Sequence, residues 1–121
     1  DEERMPDNPS EAEKTKALDK EAERLLKQIR PDSYVIVLDV AGKLASSEEL
    51  AENISNLGLS GKSDLTFIIG GAFGLSQNLI KAANERLSFS KMTFTHQMIR
   101  LLLVEQIYRA FKINRGEPYH W

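Results

Sequence analysis

Apolar positions along the chain change period several times, and each change marks an element. Ser10 and Glu13 have the spacing of a capping box. Ala17, Leu18, Ala22, Leu25 and Ile29 then recur at helical spacing, so a helix is expected over 10–28, with Pro31 ending it. Residues 34–38, "YVIVL", are apolar at both parities. That pattern suits a strand covered on both faces, as in a parallel sheet. Ser46 and Glu49 repeat the capping-box spacing and open a helix running to about Leu57, and Gly58 and Gly61 bound the loop after it. Residues 65–69 form a second buried strand that runs into the turn "GGAFG". Residues 76–87 read as a helix. Residues 89–94, "FSKMTF", alternate and read as a short strand or an extended loop, and 97–113 as a long helix. The first nine residues, acidic with two prolines, read as a loose lead-in, and "NRGEPYHW" as an irregular tail.

Strands alternating with helices predict an α/β domain, a parallel sheet with flanking helices. A chain of 121 residues is expected to be a single domain, 1–121. Three strands make a thin sheet, and the chain starts at Asp1 rather than Met. Both observations lead to the expectation of a leading unit outside this sequence, or of a partner subunit.

Charge adds one asymmetry. The formal net charge is −2, which gives no overall steering toward nucleic acid. Residues 91–121 nevertheless carry five basic side chains (Lys91, Arg100, Arg109, Lys112 and Arg115) against two acids, Glu105 and Glu117. A basic end on an acidic body hints at an anionic partner. The absence of cysteine excludes disulfides and thiolate chemistry, and two histidines far apart make a poor zinc set. No apolar run reaches the roughly 20 residues of a membrane span, and no signal peptide is visible, so a cytoplasmic protein is expected.

Three places could carry chemistry. The turn Gly70-Gly71-Ala72-Phe73-Gly74 fits neither the dinucleotide nor the Walker spacing. It is either a tight strand-to-helix turn or a place where a ligand approaches the backbone. Ligands of open parallel sheets sit beyond the carboxyl ends of strands, where both this turn and "LDVAGK" at 38–43 fall. The second place is the last helix. Projected at 100° per residue, Arg100 falls beside Val104, Ile107 and Phe111, opposite Glu105, Arg109 and Lys112. An arginine on an apolar side needs a carboxylate, such as Asp39, or an anion or another subunit. The helix is apolar around most of its girth, which burial in a dimer would explain. Third, His96 before the long helix and His120 in the aromatic tail are each a general base or incidental.

Taken together, "VLDVAGK", "FIIGGAFGLS" and "LSFSKMTFTHQMIRLLLVEQIYRAFKINRGEPYH" resemble the ribosomal RNA large subunit methyltransferase H family, small enzymes of the SPOUT class. The resemblance runs from about Glu11 to His120. It implies a deep C-terminal trefoil knot, a homodimer, and S-adenosyl-L-methionine as methyl donor to N3 of a pseudouridine in large-subunit ribosomal RNA. It implies further that Leu38, Gly70, Phe89, Ser90, Lys91, Met92, Thr93 and Phe94 line the cofactor pocket. His96, Arg100, Tyr119 and His120 would lie near the RNA end. His120 is the candidate base, and Arg100 would hold phosphate or polarise a base carbonyl. An acidic enzyme of this kind is expected to act on assembled ribosomes.

Two departures stand out. Thr95 replaces the proline usual before the histidine, which would loosen the turn into the last helix. The glycine-bearing strand and helix that open the family have no counterpart here. The competing reading is a non-catalytic α/β module that docks a partner through the long apolar helix and needs no cofactor pocket.

Overall fold

The computed structural model describes residues 10–70 and 74–119. Four helices and three strands follow in the order α1 Glu11–Gln28, β1 Tyr34–Leu44, α2 Ser47–Leu59, β2 Leu65–Ile69, α3 Gln77–Ala82, β3 Glu85–Ser88 and α4 His96–Asn114. The acidic lead-in, the middle of the glycine turn and His120 lie outside the described residues.

Local chemistry sets the helix starts. Ser10 Oγ accepts from the Glu13 amide at 3.1 Å while Glu13 Oε1 accepts from the Ser10 amide at 3.1 Å. Ser46 and Glu49 repeat this reciprocal pair at 3.1 and 2.8 Å, each satisfying two amides that a helix start leaves without partners. The Ser46 amide, and after it the Ser46 hydroxyl, lower the pKa of the Glu49 carboxyl from its ordinary value. Thr95, the departure before α4, serves as its N-cap, its Oγ1 accepting from the Met98 amide at 3.3 Å. A proline could not do this, so the turn is closed by a hydroxyl rather than by a ring.

The sheet is parallel, in the order β2-β1-β3. Ile36 pairs with Phe67 on one side and Glu85 on the other. Alternate residues of β1 point into two separate cores. Val35 and Val37 join Ala22, Ile68 and Leu79 under α1 and α3, and Ile36 and Leu38 join Leu50, Leu87 and Leu103 under α2 and α4. This two-sided burial is why residues 34–38 are apolar at both parities.

The expected helix over 76–87 breaks at Ala83, the third strand is Glu85–Ser88, and of the two readings of 89–94 it is the loop that forms. Asn84 makes the break. Its amide donates to the Val35 carbonyl at 2.8 Å, and its side-chain oxygen accepts from the Val35 amide at 2.8 Å, so the residue occupies a ladder position on β1. One continuous helix would have kept Leu79 and Leu87 on the same side; instead they are buried in opposite cores. Tertiary pairing thus overrides a helical period that is present in the sequence.

β1 also continues past Leu38, where the expected strand ends, to Leu44. Leu87 is opposite Leu38 and again opposite Lys43, so residues 39–42 bow out between two contacts with the same strand. At the other end, α4 closes on Gly116 at φ 68°. The Glu117 amide donates to the Lys112 carbonyl at 2.9 Å and the Gly116 amide to the Ile113 carbonyl at 3.1 Å, a Schellman closure that turns the tail back along the helix.

Candidate functional site

The connections leaving β1 and β2 go to opposite faces of the sheet, α2 to one and α3 to the other. A crevice must therefore open between the carboxyl ends of these two strands. A cavity of about 150 Å³ lies there, lined by Leu38, Asp39 and Val40 from β1 and by Ile69, Gly70 and Gly74 around the glycine turn. The loop after β3 adds Ser88, Phe89, Ser90, Met92, Thr93 and Phe94, and α4 adds His96 and Ile99. A second cavity of about 350 Å³, reaching Leu50, Leu102 and Gln106, shares Phe89, Ser90 and Phe94 with it. The first alone is smaller than the roughly 300–1,000 Å³ of small-molecule sites; the two adjoining spaces reach that range.

The loop is organised by its own hydroxyls. Ser88, buried at the end of β3, donates to the Ser90 carbonyl at 2.8 Å, and Ser90 Oγ accepts from the Met92 amide at 2.9 Å. Gly70 lets the opposite wall close: a Cβ there would stand 3.0 Å from the Gly74 carbonyl carbon and 3.1 Å from its oxygen. Asp39 is held by Arg86 of β3, whose Nε donates to Oδ2 at 2.6 Å and whose Nη2 reaches the same oxygen. Asp39 is thus paired with Arg86, not with Arg100.

Of the expected pocket residues, Leu38, Gly70, Phe89, Ser90, Met92, Thr93 and Phe94 surround this one cavity, whereas Lys91 is exposed and outside its lining. His96, half-buried in the first turn of α4, is in the lining. Arg100 is exposed. Its side of α4 is apolar, as the projection indicates, but of the three neighbours Val104 and Phe111 are exposed and only Ile107, at the edge of that side, joins Ile99, Leu103 and Ala110 in the core. Leu101 and Val104, each 66% exposed, share the open side with Tyr108 and Phe111.

Tyr119 is not at the cavity. Its hydroxyl donates to Glu105 Oε2 at 3.0 Å, its ring meets Tyr108 edge-on with centroids 4.9 Å apart, and the Arg109 guanidinium lies 4.8 Å from the ring centre. The hydrogen bond to Glu105 raises the phenol pKa, as the same carboxylate raises that of Arg109. Glu105 is nine residues beyond His96, about 14 Å along the helix. Within one chain, therefore, Tyr119 does not converge on His96, and His120 lies outside the described residues. Among the described residues no group of three or more His, Cys, Asp and Glu side chains is placed to hold a metal ion, and no helix is long and apolar enough to cross a membrane.

A family model described as "Predicted SPOUT methyltransferase" matches residues 2–120. The chain belongs to the SPOUT methyltransferase family. It is similar to proteins named ribosomal RNA large subunit methyltransferase H. The one from Halothermothrix orenii is 62% identical over 120 residues, covering 99% of this chain and 76% of the relative. The one from Pelotomaculum thermopropionicum is 57% identical over 117 residues, covering 97% and 73%. The one from Carboxydothermus hydrogenoformans is 57% identical over 120 residues, covering 99% and 76%.

This SPOUT chain also lines its crevice with Asp39, Val40 and Gly74, which belong to the two strand ends picked out by the sequence, and with Ile69, Ser88 and Ile99, which do not. Ile69 follows from the same strand-end argument. Ser88 was hidden because residues up to Leu87 read as helix, and the pairing of Asp39 with Arg86 because the two are 47 positions apart.

Proposed function

We propose that this SPOUT methyltransferase transfers a methyl group from S-adenosyl-L-methionine to N3 of a pseudouridine in large-subunit ribosomal RNA. It would act in the cytoplasm as a homodimer on assembled ribosomes. The observation that carries this reading is the crevice between β1 and β2, where seven residues expected to bind the donor surround one cavity. The donor set suits a nucleoside: backbone groups at Leu38 and Gly70, hydroxyls at Ser90 and Thr93, and apolar surface from Ile69, Phe89 and Ile99.

Bound there, the cofactor supplies an electrophilic methyl group on a sulfonium. The chain's own contribution is chiefly positioning. Leu38, Gly70 and the 89–94 loop would hold the donor, and the loop's hydroxyl contacts keep it in shape before binding. Arg100, exposed one turn beyond His96, would take an RNA phosphate or a base carbonyl, and His120 the N3 proton. The uncovered apolar side of α4 supports the dimer, with Leu101 and Val104 the residues a partner would bury. Since Tyr119 rests on the second half of its own α4, a tail that completes a site would complete that of the other subunit. The trefoil knot belongs to the same reading, with β1 meeting Leu87 of β3 at both Leu38 and Lys43.

The test is incorporation of labelled methyl into ribosomes lacking the modification, followed by nucleoside mass analysis. The expected product is 3-methylpseudouridine in large-subunit RNA. Arg100→Ala should lower incorporation strongly and leave donor affinity unchanged. Label in transfer RNA or protein would overturn the substrate assignment, because one fold serves several substrates.

A further inference from the structure

We infer that Asp39, held by Arg86, reads the positive charge of the methyl donor, so that the site prefers the sulfonium over its neutral thioether product. This rests on the donor reading above and adds a residue and a preference to it.

Two titratable side chains line the cavity, Asp39 and His96, and Asp39 is the carboxylate. It stands at the carboxyl end of the buried part of β1, directly after Leu38 and beside the glycine turn. Its side chain is 25% exposed, against 41% for Arg86, so the carboxylate is the more enclosed member of the pair. Both contacts from the guanidinium fall on Oδ2. A paired fork would use both carboxylate oxygens. Here Oδ1 is left off the guanidinium, and the residue itself is part of the cavity wall.

The carboxylate is also fixed in place. Leu38 before it is buried between β2 and β3, and Gly42 after it presses on the Leu87 backbone. A charge held in position before the ligand arrives needs little reorganisation to act on a cation. Methyl transfer converts a sulfonium into a thioether and so removes the charge that Asp39 recognises. The site would then hold the substrate form more firmly than the product. Arg86 touches no ligand in this scheme; it is a positioning residue.

Calorimetry on the full chain tests this with S-adenosylmethionine, S-adenosylhomocysteine and sinefungin, which carries an ammonium where the donor has its sulfonium. Asp39→Asn should weaken S-adenosylmethionine about tenfold, the scale of one charge-assisted contact, and leave S-adenosylhomocysteine within about twofold. Arg86→Gln should lower the same ratio of affinities by a smaller factor, which a purely structural role would not do. In the unmodified chain, where folding is not in question, sinefungin should bind more tightly than S-adenosylhomocysteine. An equal loss of both ligands in Asp39→Asn would mean the carboxylate binds a group common to them, such as a ribose hydroxyl, and would overturn the charge reading. Tighter binding of S-adenosylhomocysteine than sinefungin to the unmodified chain would overturn it too. If the unmodified chain binds none of the three, the donor reading itself fails and this inference with it.

Discussion

A Cβ placed on Gly42 would stand 2.8 Å from both the backbone nitrogen and the carbonyl carbon of Leu87. The bow in β1 therefore lies directly on β3, with no space for even a methyl group. Gly42→Ala must push backbone against backbone, and overpacking of this kind costs about 1–3 kcal/mol. Differential scanning calorimetry should show a lower melting temperature, by several degrees at about 4–8 °C per kcal/mol for the smallest domains and less for larger ones. A melting point within a degree of the unmodified chain would mean that the bow can lift without cost.

Gly70→Val acts at the other wall. There the added carbon meets Gly74 at 3.0 Å and Leu75 Cγ at 3.1 Å, so a small shift accommodates it. Stability should fall less than for Gly42→Ala, while S-adenosylmethionine affinity in calorimetry falls more than tenfold. Normal affinity in the variant would remove Gly70 from the site.

The open side of α4 predicts the response of assembly to charge. Leu101 and Val104 contribute little to their own chain's core, so Leu101→Glu and Val104→Glu should leave the melting of the separated chain nearly unchanged. In a dimer interface the same changes bury an unpaired carboxylate. Sedimentation at tens of micromolar should therefore shift from dimer to monomer. An unmodified chain that sediments as a monomer would count against the dimer.

Tyr119 predicts a pH response. Its folded pKa is raised, first of all because the neutral phenol donates to Glu105. The sign follows: the contact contributes below the ordinary phenol pKa of about 10 and is lost as pH rises through the folded value. The tail should stay on α4 at neutral pH and release in strong alkali. Ultraviolet titration should show a late phenol that titrates earlier in Glu105→Gln; an unchanged curve would break the assigned contact.

Legibility followed the range of each interaction. The capping boxes at Ser10 and Ser46 were readable because both partners lie within four residues. Residues 34–38 were readable because burial on both faces leaves no polar position. β3 was not, since what makes Glu85–Ser88 a strand is Val35, some fifty residues earlier. Helical projection found the apolar side that holds Arg100, but a projection cannot say which side another element covers. Nor could it find the docking of Tyr119, which depends on the turn at Gly116. The cavity lining was legible through the strand-end rule at Leu38 and Gly70, and through family resemblance for the 89–94 loop.

The position of β1 in the middle of the sheet has a consequence for synthesis. Its register with β3 joins Ile36 to Glu85, about fifty residues apart. At about 5–20 residues per second, Val35 to Leu38 wait roughly 3–10 s after leaving the ribosome before that edge can be paired. During this interval the most apolar segment of the chain is an open template for other strands. Nascent chains stalled before residue 85 should therefore be cut readily by protease near residue 36, and chains released beyond residue 114, with α4 complete, should resist.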